Sequence, residues 1–206
     1  MRKEIKIYII AVIIVLASSP LIYWVIKNQT ILFPNTSIDY LGHHEQLQDY
    51  IRFWTDTEPN SWSGMETNQK WSFSSSLTFK TQVKVTSLGS TTFYAEIILV
   101  NTGDVNEGFG FQITNSSQGK VKIQGWSWVE EAQTFTSYID RDTNIIINLE
   151  ARKIGIGQID FYVDNTQIGS ILTSVPTQEG VLDVDMTNGG QGGFSEILFY
   201  NGYQIQ

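Results

Sequence analysis

The chain has no cysteine, so disulfides and thiolate metal sites are closed to it and its stability must come from packing. Its two histidines, His43 and His44, are adjacent, which leaves no distant base for a nucleophile. No Gly-x-Ser-x-Gly motif and no phosphate-binding loop is present. Charged residues make up 17%, and the basic ones are the scarcer kind. Beyond residue 27 there are 9 basic residues against 20 acidic, a net −11 where the whole chain carries −8. Such a surface repels nucleic acid and anionic head groups, and no nucleic-acid partner is expected.

What is present is apolar and aromatic. Hydrophobic residues reach 41% and aromatic ones 13%, which argues against disorder and gives 206 residues enough for one sizeable domain. Residues 7–26 carry no charge and lie between Lys6 and Lys27, the length a helix needs to cross a bilayer. Arg2, Lys3 and Lys6 precede this run, so the positive-inside rule keeps residues 1–6 in the cytoplasm and exports the chain beyond Lys27. Tyr23 and Trp24 fall where an outer aromatic belt would lie. A cleavable signal peptide cut at Ala17-Ser18-Ser19 is the rival reading. Pro20 directly after that cut, and the apolar run continuing to Ile26, favour a retained single-pass signal-anchor. Residues 27–46 read as an extracellular stalk and 47–206 as the folded domain. Asn28, Asn35 and Asn115 open glycosylation sequons, compatible with a surface glycoprotein.

Leu47, Tyr50, Ile51 and Trp54 have the spacing of one face of a short helix, although 50–55 could equally begin a strand. From Trp71 onward the pattern is short β-runs separated by Gly, Asn, Asp and Ser. Strands are predicted at 70–76, 78–86, 91–101, 108–114, 120–128, 134–139, 143–151, 158–164, 166–172, 181–186 and 194–200. The clearest unit is 158–169. Ile159, Phe161 and Val163 alternate with polar neighbours, and Asp164-Asn165 supplies two residues that tolerate positive φ at a tight turn. The expected fold is an all-β, two-sheet antiparallel sandwich preceded by one transmembrane helix.

The order of features resembles the concanavalin A-like jelly roll shared by laminin-G-type domains, legume-type lectins and laminarinase-type glucanases. Phe93–Val100 followed by Glu107-Gly-Phe-Gly-Phe-Gln-Ile113 is similar to that fold's central strands. Asn144–Glu150 with Ile159-Asp-Phe-Tyr-Val-Asp-Asn165 resembles its late strand pattern, and Phe194-Ser-Glu-Ile-Leu-Phe-Tyr200 its closing strand. Asn165 stands where the family usually has Gly. The resemblance covers roughly residues 70–200 and implies ligands on the concave face or rim loops. Glucanases of this fold carry Glu, Asp and Glu at alternating positions of one strand. On the matching strand here Glu96 shares its face with Tyr94, Ile98 and Val100, a lone carboxylate, so hydrolysis is not expected.

Two stretches are candidate sites. In 120–129, Val121, Ile123, Gly125, Ser127 and Val129 share one face while Lys122, Gln124, Trp126 and Trp128 share the other. Two tryptophans side by side on a sheet, flanked by hydrogen-bonding groups, would make a glycan platform; ordinary core is the competing reading. Trp62 and Trp71 read as core or edge cover. Asp183 and Asp185 with Thr187-Asn188-Gly189 match a calcium loop only in part, since Asn188 stands where the loop requires Gly and no Glu closes it at the twelfth position, and a strand with a solvated acidic face explains them as well. His43, His44, Glu45 and Asp49 read as a solvated turn rather than a metal site. No cofactor is expected, with calcium the one candidate.

The function expected from these readings is a membrane-anchored extracellular binding module for surface glycans or cell adhesion, without catalysis. A structural subunit of a cell envelope or filament, contacting other envelope proteins, is the alternative, and a glycan-active enzyme the weaker one.

Overall fold

A computed structural model describes residues 38–206 apart from 48, 90, 91, 102, 104 and 105. The apolar run 7–26 and the sequons at Asn28 and Asn35 lie outside the described residues. Among the described residues no helix is long and apolar enough to cross a membrane.

Fourteen strands are described: β1 (Ile38–Gln46), β2 (Tyr50–Trp54), β3 (Trp62–Thr67), β4 (Trp71–Ser72), β5 (Leu77–Ser87), β6 (Tyr94–Asn101) and β7 (Glu107–Ser117), then β8 (Lys120–Val129), β9 (Ala132–Asp142), β10 (Ile147–Ile154), β11 (Gln158–Val163), β12 (Thr166–Ile171), β13 (Glu179–Thr187) and β14 (Glu196–Ile205). All pair antiparallel. A front sheet runs β1-β3-β13-β6-β7-β8-β9 and a back sheet β12-β11-β10-β5-β14-β2-β1. β1 belongs to both. Ile38–Gly42 pairs with β3 and His43–Gln46 with β2. The switch falls at Gly42, whose φ is +66° and where a Cβ would come within 2.2 Å of the Trp62 carbonyl oxygen. Only glycine fits there.

Period-two alternation builds the core between the sheets. Ala95, Ile97 and Leu99, Phe109, Phe111 and Ile113, and Leu182, Val184 and Met186 face inward from the front sheet. Phe79, Val83 and Val85, Ile147, Leu149 and Ala151, and Ile159, Phe161 and Val163 answer from the back. Phe111 meets Phe161 edge to face at 5.4 Å. Phe161 also fills the space over Gly125, where a Cβ would sit 2.3 Å from its ring. Phe161→Ala is expected to lower the melting temperature by about 8–15 °C in thermal denaturation, through the cavity it leaves.

The β11–β12 hairpin forms as its residues predict, with Asp164 at φ +50° and Asn165 at φ +63°. Elsewhere the strands correct the sequence reading. Residues 38–46, expected in the stalk, form β1. Its side chains are almost all exposed, so it carries no apolar alternation to read. Of the two readings left open over 47–55, the strand is the one that forms, as β2, where Ile51 and Phe53 are buried and Arg52 and Trp54 are half-buried. β3 carries no alternation either, because Ser63, Gly64 and Met65 are buried in succession. The strand expected at 70–76 contracts to β4, while the one expected at 134–139 lengthens at both ends, from Ala132 to Asp142.

Candidate functional site

Because Phe109, Phe111 and Ile113 point inward, Gly108, Gly110 and Gln112 point outward, and the same alternation holds on the neighbouring strands of the front sheet. Register then sets which outward residues meet. One cross-strand row runs Asp185, Glu96, Gln112, Gln124, Tyr138 on β13, β6, β7, β8 and β9. The next runs Asp39, Glu66, Asp183, Ile98, Gly110, Trp126, Phe135.

The β8–β9 side of this face is aromatic. Trp126 and Trp128 stack with ring centroids 4.2 Å apart and planes 23° apart. Phe135 lies parallel to Trp126 at 6.1 Å. The tryptophans are therefore stacked on one another rather than laid side by side, as the sequence pattern had suggested. Trp128 is 5% exposed, packed with Ile98 and Val100, and its Nε1 donates to Asn106 Oδ1 at 3.0 Å. The ring fits against Gly108, where a Cβ would lie 2.4 Å from it. Trp126 is half-buried and its Nε1 has no acceptor. Phe135 and Tyr138 are 44% and 56% exposed, and Lys122 Nζ lies 3.9 Å over the Tyr138 ring. Of these rings Trp126, Phe135 and Tyr138 offer exposed surface, while Trp128 lies beneath as support. Gly108→Ala is expected to displace the Trp128 ring, cost about 2 kcal/mol, and abolish the exciton couplet of the stacked indoles in circular dichroism.

The middle of the face is a ladder of amides and a carboxyl. Gln124 Nε2 donates to Gln112 Oε1 at 2.9 Å, and Gln112 Nε2 donates to Tyr94 Oη at 2.9 Å and Glu96 Oε1 at 3.3 Å. Tyr94 O–H also donates to Glu96 Oε1. Past Glu96 the face turns acidic. Burial first, then the charges of Asp185 and Asp183, push the Glu96 carboxyl up to about 8 against the Gln112 hydrogen bond. Burial, Asp185 and Glu66 push Asp183 up to about 7, and burial raises Asp185. Among the described residues no Lys, Arg or His nitrogen lies within 4 Å of these four carboxyls.

Glu96 is thus not a lone carboxylate, as its own strand implied. Asp185 stands directly opposite it on β13, a strand nearly ninety residues on that no local pattern could identify as its neighbour. Asp183 and Asp185 are half-buried rather than solvated. Among the described residues no three His, Asp or Glu side chains converge as a metal-ligand set, so the calcium candidates gain no third partner. His43 and His44 diverge. His43 Nε2 lies 3.3 Å from Asp56 and its ring stacks on Trp54, whereas His44 stacks on Tyr40 at 4.3 Å. Asn115 is half-buried near the end of β7. Trp62, read as cover, is 50% exposed at the start of β3, and Trp71 packs edge to face on Tyr203 at 5.6 Å.

The sequence matches no family profile and no curated protein. Solved structures do match. A legume lectin-like domain from Entamoeba histolytica is 14% identical, covering 82% of this chain and 89% of its own, with a TM-score of 0.57. A carbohydrate-binding module from Bacillus subtilis is 10% identical over 84% of this chain and 97% of that one, at 0.57. A Bacillus licheniformis β-glucanase is 9% identical over 86% and 94%, at 0.61. The sandwich has the concanavalin A-like jelly-roll fold these structures share.

Proposed function

We propose that the outward face of the front sheet binds glycans and that the sandwich is displayed outside the cell membrane on the apolar run 7–26. The observation that carries the reading is one face joining half-exposed aromatic rings to a hydrogen-bonded Gln124–Gln112–Glu96 ladder. Sugar rings offer apolar C–H faces and a rim of hydroxyls, and this face supplies a partner for each. Likeness in fold to lectin-like and carbohydrate-binding domains supports it. The uncharged length of 7–26 and the basic residues before it support the display.

Binding without cleavage is the form we favour. Retaining hydrolysis requires an ionised carboxylate as nucleophile beside a protonated acid. Burial raises Glu96, Asp183 and Asp185 in the same direction, and among the described residues no ion pair sets one of them apart from the others as a dedicated nucleophile. The test is a glycan array probed with the full chain in detergent, followed by a reducing-end assay on every glycan that binds. Binding with no new reducing ends is expected. New reducing ends would make the protein an enzyme, and an empty array would leave the face as a protein contact in an envelope assembly.

A further inference from the structure

The β1-β3-β13-β6 half of the same face has a composition that glycan binding alone does not require. Asp39, Glu66, Asp183, Asp185 and Glu96 all point away from the core, since Met65, Thr67, Val184, Met186, Ala95 and Ile97 between them are buried. Register sets them against one another: Asp39 opposite Glu66, Glu66 opposite Asp183, and Asp185 opposite Glu96. Like charges directly opposite on antiparallel strands oppose folding. Among the described residues none of the five forms an ion pair, and of the lysines on the adjoining aromatic half Lys122 lies over Tyr138 and Lys120 pairs with Asp142. The carboxyls do not converge as a metal-ligand set either. They are strung across four strands about 4.8 Å apart, a spread suited to several separate positive charges along an extended ligand. The aromatic rings of Trp126, Phe135 and Tyr138 continue the same rows.

We infer that the glycan bound here carries free amino groups, as an oligosaccharide of amino sugars that are not acetylated on nitrogen. This rests on the glycan-binding reading of the face. The sugar rings lie against the aromatic half and the ammonium groups against the carboxyl half. Docked ammonium groups draw the raised Glu96 and Asp183 carboxyls into their ionised form, so binding near pH 7 releases protons. Asp39, Glu66, Asp185, Tyr94, Lys122 and Tyr138, with Lys120, Asp140, Asp142 and Glu179 toward the strand ends, are the other titratable groups on this face that the released protons must be reckoned against.

The experiment is isothermal titration of the full chain, in detergent, with short glucosamine oligomers, their N-acetylated counterparts, glucose oligomers of equal length and a lysine-rich peptide. Each titration is repeated in two buffers of different ionisation enthalpy. The glucosamine oligomer is expected to bind about tenfold tighter than the other three, to weaken with salt, and to release protons. Asp183→Asn with Asp185→Asn, which removes repulsion and so preserves folding, is expected to abolish that preference. Equal or tighter binding of the acetylated or glucose oligomers overturns the inference and leaves the glycan reading standing. Equal or tighter binding of the peptide overturns it in favour of a basic protein ligand. If no oligosaccharide binds, the glycan reading fails and the inference with it.

Discussion

Glu96→Gln is expected to raise the melting temperature at pH 8 by about 4–8 °C, about 2 kcal/mol, and to flatten much of the fall in stability between pH 5 and 8. The sign depends on where the proton sits. Glu96 titrates near 4.5 when unfolded and near 8 when folded, so between those values the folded chain holds a proton that the unfolded chain has lost. Stability therefore falls as pH rises through this window and levels off above it. Glutamine cannot ionise, keeps the shape, and still accepts the Tyr94 and Gln112 hydrogen bonds. Asp183, raised from 3.8 to about 7, leaves a residual slope in the variant. Melting curves at pH 5, 6, 7 and 8 check it; a variant that loses stability equally at every pH would show that Glu96 is held ionised.

Trp126→Ala is expected to weaken glycan binding by about 30-fold or more, since a stacked indole at the centre of a binding face carries on the order of 2 kcal/mol. The ring packs between Trp128 and Phe135, so some stability goes with it. Tyr138→Ala separates the two effects. That side chain is 56% exposed, and its loss should reduce affinity while leaving the melting temperature within about 2 °C. If both variants bind glycan as the native chain does, the aromatic half of the face is not the site.

Much of the fold was legible because alternation is local. Ile159, Phe161 and Val163 mark an inward face, and Asp164-Asn165 a turn, wherever the hairpin is placed. The same alternation put Trp126 and Trp128 opposite Val121 and Ile123 correctly. What it could not supply was lateral order. That β13 lies beside β6, bringing Asp185 against Glu96, depends on a crossover decided by the whole core. Nor could it show that Gly108 would receive the Trp128 ring, because the spare room of a glycine says nothing about which neighbour fills it. β1 was missed for the opposite reason: its stability comes from backbone pairing on both edges, with little apolar burial to mark it.

The central claim is that the ligand covers the outward face of the front sheet. Hydroxyl-radical footprinting of the full chain, with and without a saturating concentration of the tightest glycan from the array, measures this directly. Protection of Trp126, Phe135 and Tyr138, with Tyr162 and Tyr200 of the back sheet unchanged, is the predicted result. Protection of Tyr162 or Tyr200, with Trp126, Phe135 and Tyr138 still oxidised at their original rate, would contradict it.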